Sequence, residues 1–176
     1  MRYLIAIYII LGLCEKNFAQ SSLINFTLNP IALLDIESSS GTNVSFTFTA
    51  PNEAGSSMQV PANNNNNRIN ITSAVTPGST RRVDVQMLGS LPSGTRLRLQ
   101  TTGPTASAVG NVGAVSNGNL YLSSSPQTII NNVGGGHTTN GVNRGFRLDY
   151  SMEIQDYSQL RASNQTVQIL FTLADN

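Results

Sequence analysis

Chemistry at neutral pH runs mostly through histidine, cysteine, lysine or paired carboxylates, and this sequence offers few of them. His137 is its one histidine. A Ser-His-Asp triad needs a single imidazole, so the count permits one. The surroundings, "GGGHTTNG", are glycine-rich, and no Gly-x-Ser-x-Gly nucleophile elbow occurs. A metal centre at His137 would have to draw carboxylates from elsewhere in the chain. The expectation is a histidine on a surface loop, in no catalytic or metal-binding role.

The carboxylates invite a glycosidase test. Asp149 and Glu153 lie on one face of one strand pattern, "FRLDYSMEI". Four residues of strand separate them by about 13 Å, beyond the retaining spacing of about 5–5.5 Å and the inverting spacing of about 6.5–9.5 Å. Pairs from different strands stay open. The expected role of these acids is cross-strand pairing with Arg82, Arg96, Arg98 or Arg147. The "NNNNN" run at 63–67 and the "GGG" run at 134–136 lack the strand–loop–helix setting of a phosphate loop. Asn25, Asn43, Asn70 and Asn164 open Asn-x-Ser/Thr sequons, which matter only in a host that glycosylates them. The expectation is therefore no catalytic residue, no cofactor and no metal.

The elements that must position these residues are strands. "NVSFTFTA" alternates Val44, Phe46 and Phe48 with Ser45, Thr47 and Thr49. "TRRVDVQML" does so with Val83, Val85 and Met87, and "TRLRLQT" with Leu97 and Leu99. "RINIT" reads as a short strand, and "NLYLSSSPQTII" as one kinked or split at Pro126. "FRLDYSMEI" is the clearest, and "TVQILFTL" closes the series with Val167, Ile169, Phe171 and Leu173 on one side. Residues 51–67 and 131–145 read as loops, and "DYSQLRA" as a turn or one short helical turn. Seven to nine short strands between Gly, Pro and Asn turns predict an all-β fold, an antiparallel β-sandwich of immunoglobulin-like or jelly-roll form.

Residues 1–19 read as a secretory signal peptide: Arg2, an uncharged apolar core from Tyr3 to Cys14, and Ala19 at the cut, with Gln20 first in the exported chain. Cys14 follows Leu13, too large for the usual lipoprotein site, so lipidation there is not expected. The cut removes the only Cys and the only Lys, Lys16. Disulfides, thiol catalysis and lysine Schiff bases go with them. The ten basic residues lose Arg2 and Lys16 and the nine acidic ones lose Glu15, leaving eight of each. A balanced charge argues against nucleic acid or an anionic membrane as partner, and nothing after the signal is long and apolar enough to span a bilayer as a helix.

The first stretch of the exported chain is odd. Ile24, Phe26, Leu28, Pro30, Ala32, Leu34 and Ile36 make one apolar row across 13 positions, roughly 43 Å as strand and over twice the usual length. Pro30 cannot donate to a ladder, so two strands are expected, divided at Asn29-Pro30. Residues 31–36 are apolar on both faces until Asp35, as suits the chain's own sandwich. Residues 23–29 offer one apolar row beside Asn25, Thr27 and Asn29, a form suited to filling a groove with one face wet.

"INFTLNPIALLDIESSSG" and the closing "QTVQILFTLADN" resemble the two ends of Cys-free chaperone–usher fimbrial subunits, the alpha-type fimbriae above all. "TPGSTRRVDVQML" and "GVNRGFRLDYSMEIQDY" are similar to segments of such pilin-like sandwiches. The commonest pilins carry a disulfide that is absent here, and many have Tyr near where Phe171 stands. The resemblance implies 1–19 as signal, 20–30 as an N-terminal donor extension and 31–176 as an incomplete sandwich. It implies a donor row of Ile24, Phe26 and Leu28 and an acceptor groove along Val167, Ile169, Phe171 and Leu173. The implied partners are further copies or related subunits, with a periplasmic chaperone and usher. The implied location is the cell surface or an extracellular fibre, reached through the periplasm. The competing expectation is a monomeric secreted or surface binding module for glycans; the absence of Trp, on which sugars stack, weakens it.

Overall fold

Period-two burial builds this molecule. In β3 (Arg81–Leu88) burial alternates without a break, Arg81, Val83, Val85 and Met87 inward and the residues between them half-buried. β4 (Thr95–Pro104) and β10 (Phe146–Ile154) follow the same rule, β10 except at the buried Ser151, with Phe146, Leu148 and Leu99 at most 1% exposed. The computed structural model describes residues 21–104 and 107–176. The signal peptide, the cut before Gln20 and Cys14 lie outside the described residues.

Two antiparallel sheets pack as a sandwich. The first runs β1 (Ile31–Ser38), β2 (Asn64–Ala74), β10, β4, β7 (Asn119–Tyr121). Two-residue strands β9 (Gly136–His137) and β5 (Val109–Gly110) extend it beside the end of β2. The second runs β11 (Gln168–Asp175), β3, β8 (Gln127–Val133), β6 (Ala114–Val115). The order β1-β2-β10-β4 facing β11-β3 is the A-B-E-D facing F-C of an immunoglobulin-type sandwich. Strand G of that plan would flank β11; among the described residues nothing pairs there.

Eleven strand elements exceed the expected seven to nine because three are only two residues long. Pro126 separates β7 from β8, and the chain changes sheet there. The helical turn at 156–162 is a 3-10 turn, Tyr157–Gln159, capped by the Asp156 carboxylate, which accepts from the Ser158 N–H at 2.9 Å.

Three expectations need correction. β2 starts at Asn64, so four asparagines of the tract are strand, not loop. Asn is a poor strand former, but β1 on one side and β10 on the other supply ladders that override propensity. Conversely, residues 43–50 were expected as a strand and make only one bridge, Thr49 to Gln59. Their side chains do alternate, with Val44, Phe46 and Phe48 half-buried on the core, but among the described residues the backbone of 43–48 makes no ladder hydrogen bond. His137 belongs to β9 rather than to a free loop, because Thr72 and Val109 pair with it from either side.

Candidate functional site

The inward rows of inner strands are sealed. Ile69, Ile71, Val83 and Val85 are at most 2% exposed. Those of two edge strands, β1 and β11, are not. Leu34 and Ile36 of β1, and Ile169, Phe171 and Leu173 of β11 with the preceding Val167, are all only half-buried against the same core. β1 and β11 are edge strands of opposite sheets and approach each other on one flank. A strand edge without a partner leaves both its backbone groups and part of its apolar row uncovered. On the flank between β1 and β11 two apolar rows thus stay partly uncovered, and the four residues expected as groove lining make up the β11 row.

One side chain ties this flank together at an end. The inward row of β3 stops in Arg81, 8% exposed. Its Nε donates to Asp175 Oδ1 of β11 at 2.9 Å. Its Nη1 donates to the Ile31 carbonyl of β1, to Ser73 Oγ at 3.0 Å and to the Ala74 carbonyl at 3.2 Å, both in β2. A buried guanidinium needs its charge and donors met, and partners from both sheets meet them. Sequence reading missed Arg81; its signal was a charge at a position in phase with Val83, Val85 and Met87.

The extension begins beside this knot. β1 starts at Ile31, directly after Pro30, and residues 21–30 form no strand. Leu23, Ile24, Phe26 and Leu28 are 89, 69, 90 and 82% exposed. Apolar side chains this bare on a short segment are unusual for a protein surface, which makes the segment a candidate interaction site.

The other candidate residues stay apart. His137 is exposed; its Nδ1 accepts from the Thr139 N–H at 3.3 Å, and it borders a shallow depression with Asp35, Asn70 and Thr72. Glu153 meets Arg96 at 2.8 Å and Arg98 at 3.4 Å across strands, as expected of it; Asp149 makes no ion pair among the described residues, and Asp84, for which no pairing was expected, meets Arg82 of its own strand at 3.0 Å. Arg96 also lies 3.9 Å over the Tyr121 ring. Among the described residues no three His, Cys, Asp or Glu side chains converge as metal ligands, and no helix is long and apolar enough to cross a membrane. No protein-family model, curated protein or solved structure matches the chain.

Proposed function

We propose that this chain is a non-catalytic structural subunit of an exported surface fibre, in which residues 23–29 of one copy complete the open sandwich of the next. The observation that carries this reading is the coexistence of an uncovered flank beside β11 with an exposed apolar row at 24, 26 and 28. Each answers the other's deficit. The cleft lacks a strand with one apolar face; the extension is a strand-length segment without a sheet. Strand addition to an exposed edge supplies main-chain hydrogen bonds, and alternate side chains supply specificity.

Donor and acceptor are different surfaces of one chain. Such head-to-tail contacts form open filaments unless the rotation between copies closes a ring. Burial of Ile24, Phe26 and Leu28 contributes roughly 1.5–3 kcal/mol each before ordering costs. Until a neighbour arrives, the bare flank is an aggregation hazard. A periplasmic chaperone that lends a strand, and an usher that exchanges it, fit that need and follow the resemblance to fimbrial subunits.

The test is the size distribution of the exported protein with and without residues 20–29. The intact chain is expected to form oligomers and the shortened chain to remain a folded monomer. Phe26→Asp sets a charge where no buried partner waits, and is expected to stop assembly with folding intact. Ordinary oligomers from either variant would falsify strand exchange. Unfolding of a stable monomer by Phe26→Asp would return the segment to its own sheet and favour a monomeric binding module.

A further inference from the structure

We infer that the Arg81–Asp175 ion pair closes one end of the acceptor cleft and so fixes the register and direction in which a second copy's extension seats. This rests on the strand-exchange reading above. The half-buried row of β11 with the residue before it is Val167, Ile169, Phe171 and Leu173; Asp175 follows in phase with its side chain 82% exposed. The neighbouring row of β3 reads Met87, Val85, Val83, then Arg81, and Asp175 stands opposite Arg81 in the ladder. Both apolar rows therefore end in a charge at the same level, and the two charges bind each other at 2.9 Å. The apolar floor runs over four alternate positions from Val167 to Leu173, about 20 Å.

The extension has the matching sequence of polarity. Its even-numbered row reads Ser22, Ile24, Phe26, Leu28, Pro30. Laid antiparallel to β11, Ile24 falls beside Leu173, Phe26 beside Phe171 and Leu28 beside Ile169. Ser22 then meets the ion pair. Pro30 falls beside Val167, one residue before β11 begins, where a missing N–H costs no ladder bond. Laid parallel with Phe26 still beside Phe171, the row puts Pro30 on the ion pair and Ser22 on Val167, a mismatch at both ends.

Slippage must go in steps of two residues, since a step of one turns every side chain to the other face. A step of two toward Arg81 presses Ile24 onto the charged pair. A step of two away sets the Ser22 hydroxyl against Leu173 with no partner. Either leaves a polar group badly solvated. The ion pair thus acts as an end stop, and Arg81 is a positioning residue for assembly.

Thiol trapping in the full exported chain tests this, because the outward neighbours are exposed. In the inferred register Asn25 of one copy lies opposite Thr172 of the next. The double variant Asn25→Cys with Thr172→Cys is expected to give covalent oligomers under mild oxidation. Leu23→Cys or Thr27→Cys paired with Thr172→Cys is expected to give about tenfold less, as a register penalty near 1.4 kcal/mol implies. Adding Asp175→Ala, which leaves Arg81 its bonds to Ile31, Ser73 and Ala74, is expected to bring the three pairs close to equal yield; Arg81→Met should do the same if it folds. Dominance of the 23–172 or 27–172 bond, oligomers with no bond at any of the three, or an unchanged preference in the Asp175→Ala background overturns the inference. Failure to form oligomers at all, even without the thiols, overturns strand exchange itself.

Discussion

At the scale of single residues, the titratable groups speak for structure. Tyr150 is 4% exposed, in the inward row of β10, and burial pushes its phenol above the ordinary tyrosine range. The folded state therefore prefers the neutral phenol more strongly than the unfolded chain does. That preference contributes stability in full below about pH 10 and is lost as pH rises through and beyond it. Tyr150→Phe is expected to flatten the decline in melting temperature above pH 10, with little change at pH 7 beyond the loss of the hydroxyl's contacts. A parallel decline in both proteins would remove Tyr150 from the account. His137 contributes to β9 through its backbone, which alanine also supplies. His137→Ala is expected to leave stability within about 0.5 kcal/mol and assembly unchanged. A folded variant that no longer assembles or binds its ligand would reopen a functional role for the imidazole.

Elements differ in how much of themselves the sequence displays. β3, β10 and β11 were legible from alternation alone, because each pairs along its length and buries one face. The split at Pro126 was legible from the missing N–H. The apolar rows at 24, 26 and 28 and along β11 were legible for the same reason as the strands, by period. What stayed hidden depends on partners distant in the chain. Nothing local announces that the strand read at 68–72 starts at Asn64; pairing with β10, and with β1 at Asn67, makes it so. Nothing local announces that the backbone of 43–48 makes no ladder hydrogen bond among the described residues. Arg81 looked like one more surface arginine until the fold brought Ile31, Ser73 and Asp175 around it. The contrast between β2 and 43–48 has a readout. Amides of Ile69 to Ile71, inside a doubly flanked strand, are expected to exchange with solvent only at or near global unfolding, whereas those of 44–48 exchange through local opening orders of magnitude faster. Equal protection in hydrogen–deuterium exchange of the isolated protein would mean that 43–48 holds a ladder of its own in solution.

For the whole molecule, the position of the guanidinium knot has a mechanical consequence. In a chain of subunits, tension on residues 21–30 enters the domain at Ile31. There β1 is held by eight paired residues of β2, from Ile31 opposite Ala74 to Ser38 opposite Asn67. A pull along the axis of β1 loads that ladder in shear, so its bonds resist together rather than peeling one by one. Arg81 grips the carbonyl of Ile31, the first residue to feel the pull, and with its Nε holds Asp175 at the end of β11. In the proposed fibre, load arriving on residues 21–30 would thereby be handed across the sandwich to β11, without passing through the core. Single-molecule pulling from residue 21 is expected to show a lower rupture force for Arg81→Met than for the parent, and a smaller drop for Asp175→Ala, which keeps the hold on Ile31. The side chain that sets where one copy stops sliding would then also set how hard the fibre can be stretched.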